Sequence, residues 1–191
     1  LPLLRGNVTA PVMLGTVVVA CTLYQQQAYL FTDSPAQIVK SIYGANPFVE
    51  SIEIGRYIRQ HSRPEDLIAV IGSEPQIYFY SQRSSATAYI YTYPLMEVHP
   101  YAREMQHEMI RQIETARPKF LVFIKVPSSW LARPVSDQKI IGWFKRYVSQ
   151  GFELVGVINL LPGGAAEYYW DEQTHTGKFY SSNFIHIFRL K

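Results

Sequence analysis

The sequence predicts an α/β domain in three layers, with a mostly parallel, Rossmann-like sheet, an antiparallel last strand and an apolar N-terminal segment ahead of it. Three observations carry this. The runs Leu67-Ile68-Ala69-Val70-Ile71 and Phe120-Leu121-Val122-Phe123-Ile124 are short and unbroken, as strands buried on both faces are. They alternate with stretches of helical apolar spacing, which implies helical crossovers between parallel strands. The final run, Asn183 to Leu190, follows its predecessor without a helix and is expected to run antiparallel.

Composition sets the bounds. A chain of 191 residues with 48 % apolar content fits one domain plus a tail and buries a sizeable core. Charged residues make up 17 %, against a usual share of about a quarter, which suits a chain lying partly near lipid. The formal charge of +3 is spread out with no Lys/Arg block, so no nucleic-acid partner is expected. Cys21 is the one cysteine, so no internal disulfide forms; within an apolar segment it reads as a small hydrophobe.

The elements follow in order. No charged residue occurs from Gly6 to Thr32, and Pro11 to Leu23 is the densest apolar part. A spanning helix needs about 20 apolar residues, and Tyr24, Tyr29, Leu30 and Phe31 extend this shorter core. Three amides in a row, Gln25 to Gln27, do not suit hydrocarbon. Three readings stand: the last transmembrane helix of a polytopic protein, a signal segment, or an element buried in the fold. The first assigns 1–32 to the end of a membrane segment and its exit, and 33–191 to a soluble α/β domain. With Leu1 in place of an initiator Met, it reads as a piece of a longer protein. Arg5 ahead of the segment puts that side in the cytoplasm and everything after Thr32 on the extracytoplasmic side of the cell membrane.

Thr32-Asp33-Ser34-Pro35 is a polar break, and Ala36 to Ala45 a linker or a short element. Asn46-Pro47 has the chemistry of a helix start, with Phe48, Ile52, Ile54, Tyr57 and Ile58 as its apolar stripe. Arg56, Arg59, His61 and Arg63 form a solvated face, or one that meets anionic headgroups. Then come a strand to Gly72, a short helix from Pro75 to Gln82 and a strand from Ala86 to Thr92. A strong helix runs from Pro100 to Ala116 and a strand from Lys119 to Lys125. Pro134 to Gln150 is a helix stopped by Gly151. Phe152 to Leu160 is a strand, and Pro162 to Lys178 a Gly-rich polar loop or hairpin.

Chemical motifs are scarce. Gly72-Ser73-Glu74-Pro75 lacks the glycines of a dinucleotide-binding turn, and neither a P-loop nor a G-x-S-x-G elbow occurs, so no cofactor and no catalytic residue is assigned. Glu104, His107 and Glu108 share a helix face without the second Glu-x-x-His of a carboxylate metal site, and read as solvated. Tyr89, Tyr91 and Tyr93 alternate, and Tyr168, Tyr169 and Trp170 cluster, so aromatic faces are available for core packing, sugar stacking or a membrane interface. Ligands of open α/β sheets bind beyond the carboxyl ends of the strands. That selects Glu74 and Gln76 with Ser73 after the first strand, Tyr93 after the second, and Lys125 and Trp130 with Ser128 after the third, as candidate substrate-binding residues.

Asp66-Leu67-Ile68-Ala69-Val70-Ile71-Gly72-Ser73-Glu74-Pro75-Gln76-Ile77-Tyr78-Phe79 resembles the C-terminal soluble region of bacterial membrane glycosyltransferases of the dolichyl-phosphate-mannose–protein mannosyltransferase type, the GT-C fold. In that family a strand ending in a small residue runs into a Glu-Pro-x-hydrophobic-Tyr turn. Arg117-Pro118-Lys119-Phe120-Leu121-Val122 is similar to their helix-to-strand step, and the resemblance covers Asn46 to Ile124. It implies a polytopic, membrane-embedded parent that moves a sugar from a polyprenyl-phosphate donor to a glycan or protein acceptor outside the cytoplasm. The family's catalytic acidic residue lies in an early loop between transmembrane helices, so none is carried over to this chain. The domain would be an accessory module. The alternatives are a membrane-tethered domain that binds a carbohydrate or lipid headgroup without catalysis, and a small α/β enzyme.

Overall fold

The computed structural model describes residues 9–44, 46–177 and 181–191. Arg5, the start of the uncharged segment and Lys178 lie outside them. The chain divides into two compact units, Leu1–Ile42 and Tyr43–Lys191.

In the first unit, helix α1 spans Thr9–Gln25. Its apolar side chains point in all directions and are exposed, Val12, Leu14, Val17, Val18 and Leu23 among them. Thr16 and Thr22 donate their hydroxyls to the carbonyls of Val12 and Val18, one turn back. The 17 residues of α1 amount to roughly 25 Å, against a hydrocarbon core of roughly 30 Å. Among the described residues no helix is long and apolar enough to cross a membrane. The helix ends at Gln25, where the amide run begins, and a π turn over Ala28–Thr32 follows. Helix α2, Pro35–Tyr43, opens on a capping box: Ser34 Oγ accepts from the Gln37 amide, and Gln37 Oε1 accepts from the Ser34 amide.

The second unit is built on a five-stranded sheet of order β1-β2-β5-β3-β4. The strands are β1 Ile68–Ile71, β2 Phe120–Lys125, β3 Phe152–Leu160, β4 Ala166–Trp170 and β5 Asn183–Leu190. Only β1 and β2 pair in parallel; β2–β5, β5–β3 and β3–β4 are antiparallel. The sheet is therefore mixed and mostly antiparallel, which corrects the expectation of a mostly parallel Rossmann-like one. The reason lies in the last strand. β5 is antiparallel to its neighbours as expected, but it inserts between β2 and β3 instead of adding at an edge. β1, β2 and β3 still run one way, yet β5 removes one parallel contact and makes two antiparallel ones. The loop after β3 folds back as β4, which adds a third.

Helices cover both faces. Ile68 and Val70 of β1, Phe120, Val122 and Ile124 of β2, and Ile185 and Ile187 of β5 pack on α3 (Glu50–Gln60) and α4 (Gln76–Ser81) through Ile54, Tyr57, Ile58 and Ile77. Alternate residues, Ala69, Ile71, Leu121 and Phe123, pack on α5 (Tyr93–Met96), α6 (Ala102–Ala116) and α8 (Lys139–Ser149). Two short helices, α7 Pro127–Trp130 and α9 Gln173–Thr176, complete the unit.

Three local expectations change, the simplest being that the helix expected from Pro134 starts at Lys139. Helix α3 begins at Glu50, not at Asn46-Pro47, because turns fill the gap: the Phe48 amide bonds the Asn46 carbonyl and the Ser51 amide the Pro47 carbonyl. Ala86 to Thr92 forms no strand. Its backbone is served by side chains: the Ala88 amide donates to Gln112 Oε1, the Tyr89 amide to Thr87 Oγ1 and the Thr92 amide to Ser73 Oγ. Such bonds compete with a ladder and here replace it. The one ladder-like contact among the described residues is at the segment's start, where Ser85 bridges to Ile68 and the Ala86 amide donates to the Ile68 carbonyl.

Candidate functional site

β1 delivers the chain to a sharp turn at Gly72-Ser73-Glu74-Pro75, and α4 starts immediately after it. Gly72 has to be glycine, since a Cβ there would lie 2.5 Å from Glu74 Oε2 and 2.6 Å from Ile124 Cγ1. This close packing drives the Glu74 side chain inward, where it is 3 % exposed.

A cleft of about 80 Å³ opens over this turn. It is lined by three segments: Asn46, Pro47 and Phe48; the turn residues Ser73, Glu74, Pro75 and Gln76, taken here as its floor; and Tyr91 and Tyr93. The two tyrosine rings meet edge to face, with centroids 4.8 Å apart at 90°. Of the residues expected to bind substrate, the structure brings Glu74, Gln76 and Tyr93 together at this cleft. Trp130 is buried on the helix-α6 side of the sheet and donates its indole N–H to the Ile124 carbonyl at 2.7 Å, so it is a core residue. Lys125 is exposed at the end of β2, with its ammonium 4.8 Å from the ring centroid of Phe184 on β5, and it does not line the cleft.

A hydroxyl network fixes the floor. Ser129 Oγ donates to Glu74 Oε2 at 2.8 Å and accepts from the Ser73 amide at 3.0 Å. Ser73 Oγ and Thr92 Oγ1 lie 3.0 Å apart, and the Thr92 amide donates to Ser73 Oγ. Tyr93 donates its hydroxyl to the Ser128 carbonyl at 2.9 Å. Gln76 Nε2 donates to Ser51 Oγ, whose own proton goes to the Pro47 carbonyl, so the amide orientation of Gln76 is set and its carbonyl oxygen stays an acceptor.

Burial dominates the electrostatics. Desolvation lifts the Glu74 carboxyl to about 7, opposed by the hydrogen bonds from Ser129 and the Ser73 amide. No lysine, arginine or histidine is among the described residues lining the cleft. Burial also pushes the Tyr93 phenol up, with Tyr91 and Glu74 adding to the shift.

Asn46, Pro47, Phe48 and Tyr91 line the cleft but were not among the candidates. Asn46-Pro47 carries a helix-start signature that concealed this use, whereas the Tyr89-Tyr91-Tyr93 alternation was a usable signal. Ser129, which orients Glu74, followed from nothing in the sequence beyond its place after a strand. On α6, Glu104 is shared between Arg111 and His107, while Glu108 accepts from Tyr89 and Gln112. Among the described residues no group of three or more potential ligands could hold a metal ion.

No protein-family model matches the chain, and no curated protein or solved structure matches it.

Proposed function

We propose that this chain provides the accessory extracytoplasmic domain of a membrane glycosyltransferase that transfers a sugar from a polyprenyl-phosphate donor to a glycan or protein acceptor. The cleft at the end of β1 would hold part of a substrate. One observation carries the reading. The Glu74-Pro75-Gln76 turn, within the segment that resembles the mannosyltransferase-type enzymes, forms the floor of a cleft walled by Tyr91, Tyr93 and Phe48. Aromatic faces beside a few convergent polar groups are the usual make-up of a small-ligand site. The cleft has a carboxyl but neither an activated nucleophile nor a second carboxyl, which agrees with chemistry carried out elsewhere in a longer protein. The exposed apolar faces of α1 agree with a lipid-associated position.

The test is sugar transfer by the parent enzyme in membranes. Glu74→Gln and Tyr91→Ala are expected to lower acceptor use at least tenfold while the circular dichroism of the 191-residue chain stays unchanged. Unchanged transfer in both variants overturns the accessory role. If the same variants lose ligand binding while transfer is unchanged, the domain is the non-catalytic binding module instead.

A further inference from the structure

Resting on the reading that this cleft takes a ligand, we infer that it recognises a primary ammonium group, held by Glu74 and Gln76 and enclosed by Phe48, Tyr91 and Tyr93.

Tyr93 spends its proton on the Ser128 carbonyl, and Ser73, Thr92 and Ser129 bond to one another and to Glu74. Glu74 and Gln76 both line the cleft, and what their side chains leave unused is acceptor capacity. A carboxylate accepts about four hydrogen bonds and Ser129 supplies one, while the amide oxygen of Gln76 is turned away from Ser51. An ammonium is the complementary group, with three donors and no acceptor. A phosphate or carboxylate is the opposite, and would meet Glu74 with no cation to offset it.

The walls point the same way. With its hydroxyl tied to Ser128, Tyr93 presents its ring, set edge to face against Tyr91. Aromatic surfaces at right angles beside a buried carboxylate suit a cation, which is drawn both to ring faces and to the negative charge. Apart from the Ser129 hydroxyl and the Ser73 amide, the carboxylate has no cationic partner among the described residues lining the cleft. A buried carboxylate used only for structure is normally paired. Here the neighbours on α4, α7 and the 91–93 segment are hydroxyls, amides and phenols. On α3, Glu50 beside Ser51 is acidic and acts on Tyr168. The ammonium of Lys125 lies over Phe184.

An ammonium of this kind comes from an ethanolamine-type lipid headgroup or from an amino sugar, and the probes separate the two. NMR spectra of the 191-residue chain would be followed at the Gln76 side-chain amide while ethanolamine, glucosamine, choline, ethylene glycol and glucose are added. At pH 8, ethanolamine or glucosamine is expected to bind at least tenfold more tightly than its neutral counterpart, with choline, which has no N–H, in between. The tighter of the two amines names the source. Ethanolamine keeps its charge as Lys does, so its affinity should fall at least tenfold between pH 8 and pH 5 as Glu74 takes up a proton. Glu74→Gln should abolish the preference for amines with an unchanged spectrum elsewhere. Equal binding of amine and neutral probe, or an amine preference that survives Glu74→Gln, overturns the inference and leaves a neutral-sugar cleft. Binding of no probe overturns both the inference and the cleft reading.

Discussion

Ser129 Oγ stands 2.8 Å from Glu74 Oε2 and 3.0 Å from the Ser73 amide, so one hydroxyl serves the carboxyl and the backbone of the same turn. Ser129→Ala removes both bonds at once. It takes its hydroxyl acceptor from the buried Ser73 amide, at a cost of up to about 1–3 kcal/mol. It also removes a bond that favours the ionised carboxyl, so the Glu74 pKa should rise further. Chemical denaturation and a carboxyl NMR titration check the two effects; a variant as stable as the parent with an unmoved titration would refute the coupling.

Two buried groups give opposing pH dependences. Glu74 is raised to about 7, so the folded state holds its proton more tightly than the unfolded state does. The stability it contributes is complete below the ordinary Glu range and lost as pH rises towards 7. His186, between Phe184 and Phe188 on β5, is lowered to about 4, first by desolvation and then by Lys125. Its contribution is complete above the ordinary His value and lost as pH falls towards 4. Each shift corresponds to about 3 kcal/mol. Across the shared interval from about pH 4.5 to 6.5 the two slopes nearly cancel. Glu74→Gln should therefore expose a loss of stability towards acid, and His186→Phe a loss towards neutrality. Urea melts at half-unit pH steps decide, and parallel curves for the three proteins would dismiss the assignment.

The strand runs were legible because β1 and β2 are buried on both faces and their side chains leave no alternative reading. Helix α6 was legible because Met109, Ile110 and Ile113 recur at helical spacing. Sheet order was not legible. Nothing in Asn183 to Leu190 says that it inserts between β2 and β3, since that choice is made by packing against residues about 30 and 65 positions away. The segment 86–92 misled for a different reason: its alternating tyrosines mimic a strand, while Thr87, Gln112 and Ser73 take up its backbone bonds. Of the cleft, the floor could be read from its place at a strand end. The Phe48 wall could not, because Asn46-Pro47 is an equally good helix start. Lys125 and Trp130 share the strand-end position but lie elsewhere, because the first residues after β2 turn into α7 and carry the indole into the core.

Gly72 sets the position of the carboxyl. A Cβ at this residue would meet Glu74 Oε2 at 2.5 Å and Ile124 Cβ at 2.8 Å, and the Ile124 backbone is fixed in a central strand. Gly72→Ala should therefore cost about 1–3 kcal/mol through overpacking. The Glu74 side chain should also be pushed towards solvent, which lowers its pKa towards the ordinary value. Thermal unfolding with a carboxyl titration tests this. A variant that loses no stability would mean the turn yields freely.

On α3, Tyr57 lies between His61 and Trp170, with ring centroids at 4.1 and 4.2 Å, and donates its hydroxyl to Asp171 Oδ1 at 2.7 Å. Trp170 ends β4 and rests on Gly156, where a Cβ would come within 2.5 Å of the indole. Asp171 adopts a left-handed φ of 48°, which aims its carboxylate back at α3. The contact ties the edge hairpin of β3 and β4 to a helix that the hairpin does not otherwise reach by backbone bonds. A hydrogen bond to a charged acceptor is worth about 1.5–3 kcal/mol, so Tyr57→Phe should lose about that much while the ring stack survives. Asp171→Asn keeps the backbone preference and weakens the acceptor. In a double-mutant cycle the two changes should be strongly non-additive, because each removes the same bond. Additive losses in urea denaturation would show that Tyr57 stabilises the hairpin through stacking alone.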